Sequence, residues 1–445
     1  MANNNCLIIH PRLKKNNYNR SIENALDEAV GLAEAINLNV VEAIAFTLSK
    51  VKPATYIGEG QIEYIKNKAA EFEEPEVLIF DGSLTPSQQR NLERALDLKV
   101  IDRTGLILEI FGERAQTREG RAQVQLASLS YQRSRLVRSW THLERQKGGA
   151  GFMGGPGERQ IELDRRMIDD QIGRIKKDLE QIKRTRDLQR GKRKRVPWPV
   201  VALVGYTNAG KSTLFNVLTQ ADVMAKDMLF ATLDPTMRAL KLPSGKQIIL
   251  ADTVGFISDL PHQLVEAFKA TLEEVTQADL LLHVIDVSDA DNEEYQNNVL
   301  EVLENIGIDE ADQEKHIIDV FNKIDLLDAE ERQQMVNKFS VNRVQNKVAI
   351  SAYERLYLDK LLTLIDVKLS EDEEEYSIRI PAAQGEIIAW LHENSVVLSL
   401  QYNDDGWAEI LGTIKPERAN RLADMLKKIN FILSPSIQKI IKKYY

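Results

Sequence analysis

The chain has 445 residues, 43% of them hydrophobic and 28% charged, the balance of a globular protein with enough length to bury several cores. Its single cysteine, Cys6, excludes an intramolecular disulfide framework and argues against a cysteine-based zinc site. The net charge of −9 speaks against a nucleic-acid partner, but residues 114–195 hold 22 basic and 10 acidic side chains, leaving 36 and 57 elsewhere. A local basic field of this kind binds phosphate polymers whatever the total charge; the alternative is a solvated helical face.

At about 150 residues per domain the length suggests roughly three domains. Residues 6–9 open with a short apolar run, and Ile22, Ala25, Leu26, Ala29, Leu32, Ala33 and Ile36 follow at helical spacing. Strands are predicted over 40–48 and 77–80, and helices over 61–72 and 86–96. The alternation predicts an N-terminal α/β domain, residues 1–112, with a parallel sheet. Gly58 and Gly60 lack the third glycine of a dinucleotide loop and read as a helix start.

Residues 113–196 read as a basic helical hairpin. Leu126, Leu129, Arg133, Leu136, Trp140 and Leu143 form one seam, and Ile168, Ile172, Ile175, Leu179 and Ile182 the other. The glycine-rich stretch 148–157 between them cannot stay helical, and Phe152 and Met153 make it a contact loop rather than a bare linker. Gly191, Pro197 and Pro199 mark a boundary. The next domain is predicted over 197–370, and the acidic run 371–375 opens a small C-terminal α+β domain over 371–445, with a hairpin turn at Asp405-Gly406.

The apolar run 200–204 leads directly into Gly205-Tyr206-Thr207-Asn208-Ala209-Gly210-Lys211-Ser212, and Thr213 continues into a helical pattern. This strand–loop–helix setting is that of a phosphate loop. Backbone N–H groups turn inward on the phosphates, Lys211 reaches the β- and γ-phosphates, Ser212 ligates Mg²⁺, and the helix N-terminus adds positive potential. Three later motifs select GTP. Asp252-Thr253-Val254-Gly255 follows an apolar strand and matches D-x-x-G, with Asp252 in the Mg²⁺ shell and the Gly255 N–H sensing the γ-phosphate. Asn322-Lys323-Ile324-Asp325 places a carboxylate where the guanine edge offers two N–H donors. Ser351-Ala352-Tyr353 matches the loop that backs the base. Between them, Phe230-Ala231-Thr232-Leu233-Asp234-Pro235-Thr236 holds the switch I threonine; Thr232 is favoured for Mg²⁺ and γ-phosphate contact, with Thr236 as the other candidate. Lys211, Thr232 and Gly255 are the expected catalytic groups, and Ser212, Thr232 and Asp252 the expected metal ligands.

The whole chain resembles the HflX family of translational GTPases. Outside the nucleotide motifs the resemblance rests on residues 102–111, on Thr117-Arg118-Glu119-Gly120, on Gly155-Pro156-Gly157-Glu158 and on residues 230–236. It departs from the family pattern at Arg159, where threonine is common, and at Phe152-Met153-Gly154. The resemblance implies an α/β multidomain protein with an N-terminal α/β domain, a helical hairpin, a P-loop GTPase domain built on a mixed sheet flanked by helices, and a C-terminal domain. It implies binding to the large ribosomal subunit, through ribosomal RNA, and splitting or rescue of stalled or idle ribosomes. Ribosome assembly and a nucleotide-gated RNA-binding scaffold are the alternatives.

Phe256 stands where many GTPases carry the glutamine that orients water, so hydrolysis is expected to be slow alone and stimulated by the ribosome. Arg238 is a candidate for the missing positive charge. Asn208 matches the asparagine that some related GTPases use to hold K⁺ beside the phosphates; the alternative is a hydrogen bond within the loop. Equal turnover in KCl and NaCl at matched ionic strength would refute the potassium role. No apolar run reaches the roughly 18 residues that span a bilayer, and no secretory signal is legible, so a cytoplasmic monomer is expected.

Overall fold

The computed structural model describes residues 4–14, 20–72, 75–146, 156–193, 198–220, 230, 236–258, 273–310, 313, 316–340, 346–371, 373–403, 405–414 and 416–428. The first unit is a four-stranded sheet of β1 (Asn5–Leu13), β2 (Asn39–Leu48), β3 (Val77–Phe80) and β4 (Lys99–Asp102), parallel throughout, in the order β2-β1-β3-β4. Cys6, Leu7, Ile8 and Ile9 are all fully buried, because helices cover both faces and a strand between them is apolar on both sides. Those helices are α1 (Ile22–Glu34), α2 (Glu59–Glu71), α3 (Pro86–Leu96) and α4 (Arg103–Arg114). Gly58 is the N-cap of α2, the helix start read from the sequence.

Two elements of this unit escaped the periodicity analysis. Strand β4 has only four residues. Helix α4 buries Thr104, Leu106, Ile107, Leu108, Ile110 and Phe111 along one broad face and exposes Glu109, Gly112 and Glu113 on the other. Asp102 starts it, its carboxylate accepting from the Gly105 N–H at 2.8 Å.

Helices α5 (Arg118–Gln146) and α6 (Pro156–Arg193) pack against each other. Leu129 and Ile175 of the two seams are buried. Arg133, the one charged seam position, pairs across the hairpin with Asp169 at 2.6 Å. The loop 147–155 lies outside the described residues. Pro156 and Gly157, expected in that loop, are instead the first residues of α6, where proline's fixed φ suits the first turn. Arg135 ties α5 to the first unit, reaching Asp102 at 3.3 Å, while the Tyr131 hydroxyl donates to the same carboxylate at 2.7 Å.

The third unit is a six-stranded sheet of β5 (Val200–Gly205), β6 (Thr236–Lys241), β7 (Gln247–Asp252), β8 (Leu280–Asp286), β9 (Ile317–Asn322) and β10 (Lys347–Ala349). The order is β10-β9-β8-β5-β7-β6, with β6 alone antiparallel, to β7. Helices α7 (Lys211–Thr219), α8 (Glu273–Thr276), α9 (Asn292–Asn305), α10 (Ala329–Ser340) and α11 (Leu358–Ser370) accompany it. One face has its own core, including Val201, Leu203, Phe215 and Leu282. The other shares a core with the first unit: Ala202, Val204, Phe256 and Val299 cluster with Ile8, Ala29, Ile107 and Phe111.

The last unit is an antiparallel sheet of β11 (Glu374–Pro381), β12 (Val396–Tyr402) and β13 (Trp407–Ile414), ordered β11-β13-β12, with α12 (Gly385–Asn394) and α13 (Pro416–Lys428). Strand β13 alternates between buried and outward residues, the pattern of a sheet covered on one face. Lys246 joins this unit to the third, its buried ammonium pairing with Glu373 at 2.9 Å.

Candidate nucleotide site

Strands β5, β7, β9 and β10 run parallel, so the loops after their C-terminal ends emerge at one edge of the sheet. Open parallel sheets bind ligands at this edge. Four motifs scattered over about 150 residues of sequence thereby meet.

The phosphate loop turns at Gly210, whose φ is +92°; a Cβ there would stand 2.3 Å from the Asn322 Nδ2. Only glycine allows this approach, and it locks the phosphate loop to the base loop. Asn322, 2% exposed, donates from Nδ2 to the Ala209 carbonyl at 2.9 Å and accepts the Ala352 N–H on Oδ1 at 2.9 Å. One buried amide thus holds three of the four motifs in register. Tyr206, Thr207 and Ala209 are buried; Asn208 is exposed, with φ +61°, and Thr213 is half-buried in α7.

Lys211 lies across the loop. The residue is 6% exposed, and its ammonium donates to the carbonyls of Gly205 at 3.0 Å and Tyr206 at 2.6 Å. Burial pushes it down to about 8, aided by the Lys323 charge and opposed by Asp252. Phosphate oxygens are the charge that such a buried ammonium lacks. Ser212 Oγ donates to Asp252 Oδ2 at 2.7 Å, so the two predicted metal donors are side by side. Thr253 Oγ1 donates to the Leu203 carbonyl at 2.6 Å, which anchors the strand end rather than facing a ligand. Val254 is buried in the shared core. Gly255 comes so close that a Cβ on it would be 3.0 Å from the Lys211 Nζ.

At the base end, Lys323 pairs with Asp286 at 2.7 Å, and Ile324 is fully buried. Asp325 Oδ1 is buried without a hydrogen-bond partner, as befits an acceptor reserved for a ligand's N–H. Arg332, not anticipated from the sequence, supports this loop: Nε donates to the Ile324 carbonyl at 2.9 Å and Nη2 to the Asp325 carbonyl at 2.7 Å. Ser351 is fully buried and accepts the Glu354 N–H at 2.9 Å, whereas Tyr353 is 83% exposed.

Some expectations shift. The Phe230 side chain is buried edge-on against Phe111, ring centroids 4.7 Å apart, because the shared core draws it inward. Ala231, Thr232, Leu233 and Asp234 lie outside the described residues. Thr236 starts β6 opposite Asp252 in the ladder, and Arg238 is exposed on the same strand. Tyr206 turns its ring away from the loop onto Tyr295. Phe256 is buried, and its backbone pairs with the phosphate loop, donating to the Gly205 carbonyl at 3.0 Å and accepting the Thr207 N–H at 2.7 Å.

A phosphate loop, a D-x-x-G carboxylate beside its serine and an N-K-x-D loop at one sheet edge define a P-loop GTPase, an enzyme that binds GTP and GDP and hydrolyses GTP. Family models described as GTP-binding GTPase N-terminal, GTP-binding GTPase middle region, 50S ribosome-binding GTPase and HflX C-terminal domain match residues 23–112, 114–193, 200–323 and 335–431. The chain belongs to the HflX family of GTPases. It is 43% identical to the GTPase HflX of Caldanaerobacter subterraneus subsp. tengcongensis, over 93% of this chain and 91% of that one. It is 42% identical to that of Escherichia coli strain K12, over 86% and 87%. A Magnetococcus marinus GTPase HflX is 60% identical over 64% of this chain and 65% of its own length. Among solved structures, a GTP-binding protein from Sulfolobus solfataricus in complex with GDP is 27% identical over 82% of this chain and 99% of that one, with a TM-score of 0.45. Among the described residues, no helix is long and apolar enough to cross a membrane.

Proposed function

We propose that this GTPase binds the large ribosomal subunit in its GTP state, acts in splitting or rescue of stalled or idle ribosomes, and is released on hydrolysis. The observation that carries the reading is the joining of the phosphate-loop, D-x-x-G and N-K-x-D motifs to a strongly basic segment, residues 113–196, in an otherwise acidic chain. Exposed Lys176, Lys177 and Arg184 on α6 offer phosphate contacts, the sequence-independent mode by which structured RNA is held. The match of residues 200–323 to a 50S ribosome-binding GTPase model supports the same partner.

The residues present suit Mg²⁺, since Ser212 Oγ and Asp252 Oδ2 are already adjacent, and Thr232 is the proposed third donor. Magnesium at this place would neutralise charge on the β- and γ-phosphate oxygens. Lys211 holds the same oxygens from the other side, and the Gly255 N–H meets the γ-phosphate. Phe256 is paired into the phosphate loop and apolar, so it supplies no group to orient water. The subunit is the proposed source of that missing function.

GTP turnover with purified large subunits is expected to exceed that with bulk RNA at equal phosphate concentration by at least tenfold. Reversing Lys176, Lys177 and Arg184 to glutamate is expected to remove most of the stimulation and flatten its salt dependence. Arg133 and Arg135 are spared because they hold the hairpin in place. Stimulation no greater than by bulk RNA, with GTP still bound, would favour a nucleotide-gated RNA scaffold or an assembly factor.

A further inference from the structure

Behind the phosphate loop, buried polar groups from the N-terminal sheet unit reach the segment that follows Gly255. Tyr206 stacks on Tyr295 of α9, ring centroids 4.1 Å apart, and its hydroxyl donates to Glu28 of α1. Glu28 is 7% exposed and lies between two guanidinium groups, Arg20 at 3.1 Å and Arg103 at the start of α4. Arg103 also pairs with Asp81 at 2.6 Å, and its Nη2 donates to the Ser258 carbonyl at 3.1 Å. Ser258 closes the circuit: its N–H donates to the Tyr206 hydroxyl oxygen at 2.9 Å, and its Oγ lies 2.8 Å from that oxygen.

Gly255 is three residues upstream of Ser258 and pressed against the Lys211 ammonium. Two backbone bonds through Phe256 and two bonds at Ser258 clamp residues 256–258 onto the phosphate loop. Of the groups that fix Ser258, Arg103 belongs to the N-terminal unit, and Tyr206 is oriented by Glu28 of that unit. A clamp that keeps Gly255 beside the lysine favours the arrangement in which its N–H meets a γ-phosphate. GDP has no group there to reward it.

We propose that Glu28 and Arg103 are positioning residues for the γ-phosphate sensor, acting through Tyr206 and Ser258 to bias the site toward GTP over GDP. By linkage, GTP tightens the docking of the N-terminal unit on the GTPase domain by the same factor. The bias is confined to the difference in affinity between the two nucleotides. It is therefore separable from general stability and from any ribosomal role.

The test measures dissociation constants of the full chain for GDP and for a non-hydrolysable GTP analogue. Tyr206→Phe keeps the stacked ring and removes only the hydroxyl; Glu28→Gln removes the charge that orients it. Each is expected to lower the preference for the analogue relative to GDP about three- to tenfold, the worth of one buried hydrogen bond. The double variant is expected to fall no further than the larger single one, since both act through one hydroxyl. A merely structural role would lower the melting temperature and leave the ratio unmoved. A ratio within twofold of wild type in Tyr206→Phe, or one that rises, overturns the proposal; Tyr206→Phe decides alone if Glu28→Gln does not fold. The assay contains no ribosomes, so its result is independent of the proposed partner.

Discussion

Lys211→Ala is expected to weaken both GTP and GDP binding by about 10³-fold, with the fold retained. The ammonium is buried across the phosphate loop and donates to two loop carbonyls. Its removal deprives the bound phosphates of a desolvated opposite charge. Losing one partner of a buried ion pair costs about 3–5 kcal/mol, which brackets this figure. Fluorescent-nucleotide titration reads it directly, and unchanged affinity would refute the phosphate-loop assignment. The unmodified protein should carry a matching pH signature. Burial lowers Lys211 from 10.5 to about 8 without nucleotide. Between those values the unfolded chain holds a proton that the folded chain has released, so the group's contribution to stability rises with pH across that window. Phosphate needs the charged form, so GDP affinity should fall as pH rises above about 8, by at most about tenfold per unit.

Asp325→Asn is expected to weaken GDP binding by about 10²- to 10³-fold and to raise affinity for xanthosine diphosphate. The carboxylate is placed to accept two N–H bonds from guanine, and bonds to a charged group contribute about 1.5–3 kcal/mol each. Asparagine offers one acceptor and an NH₂ donor, which suits the carbonyl that xanthine carries in place of the guanine amino group. Asp325 Oδ1 is already buried without a partner, and Arg332 holds the backbone on both sides of the position. The loop should therefore keep its shape in the variant. Competition between the two diphosphates measures the change. Retained discrimination against xanthine would contradict the base-reading role.

Much of the site was legible because each of its motifs is short and follows a strand of marked apolar character. Residues 200–205 and 247–252 are such strands, and in each the motif begins at the strand's last residue, Gly205 or Asp252. Local sequence carries this information because the glycines, the lysine and the carboxylates act through backbone conformations fixed within a few residues. Helix α4 was missed for a different reason: its buried arc is broad and its outward face is short, carried by Glu109, Gly112 and Glu113, two of them next to the helix end. Phe230 lies within a family motif, and nothing in the sequence shows that its ring packs into the core against Phe111.

By itself the sequence determined the class of chemistry: a loop for phosphates, a carboxylate for guanine, and a basic hairpin within an acidic chain. Only the tertiary structure decided that Tyr206 stacks on Tyr295 and bonds Glu28, that Arg332 buttresses the base loop, and that Arg103 touches the switch segment. Tyr206 is separated from Glu28 by 178 residues, and Ser258 from Arg103 by 155. Buried charges need partners, but no local pattern says which distant groups will supply them; that choice is made when the sheets pack and exclude water.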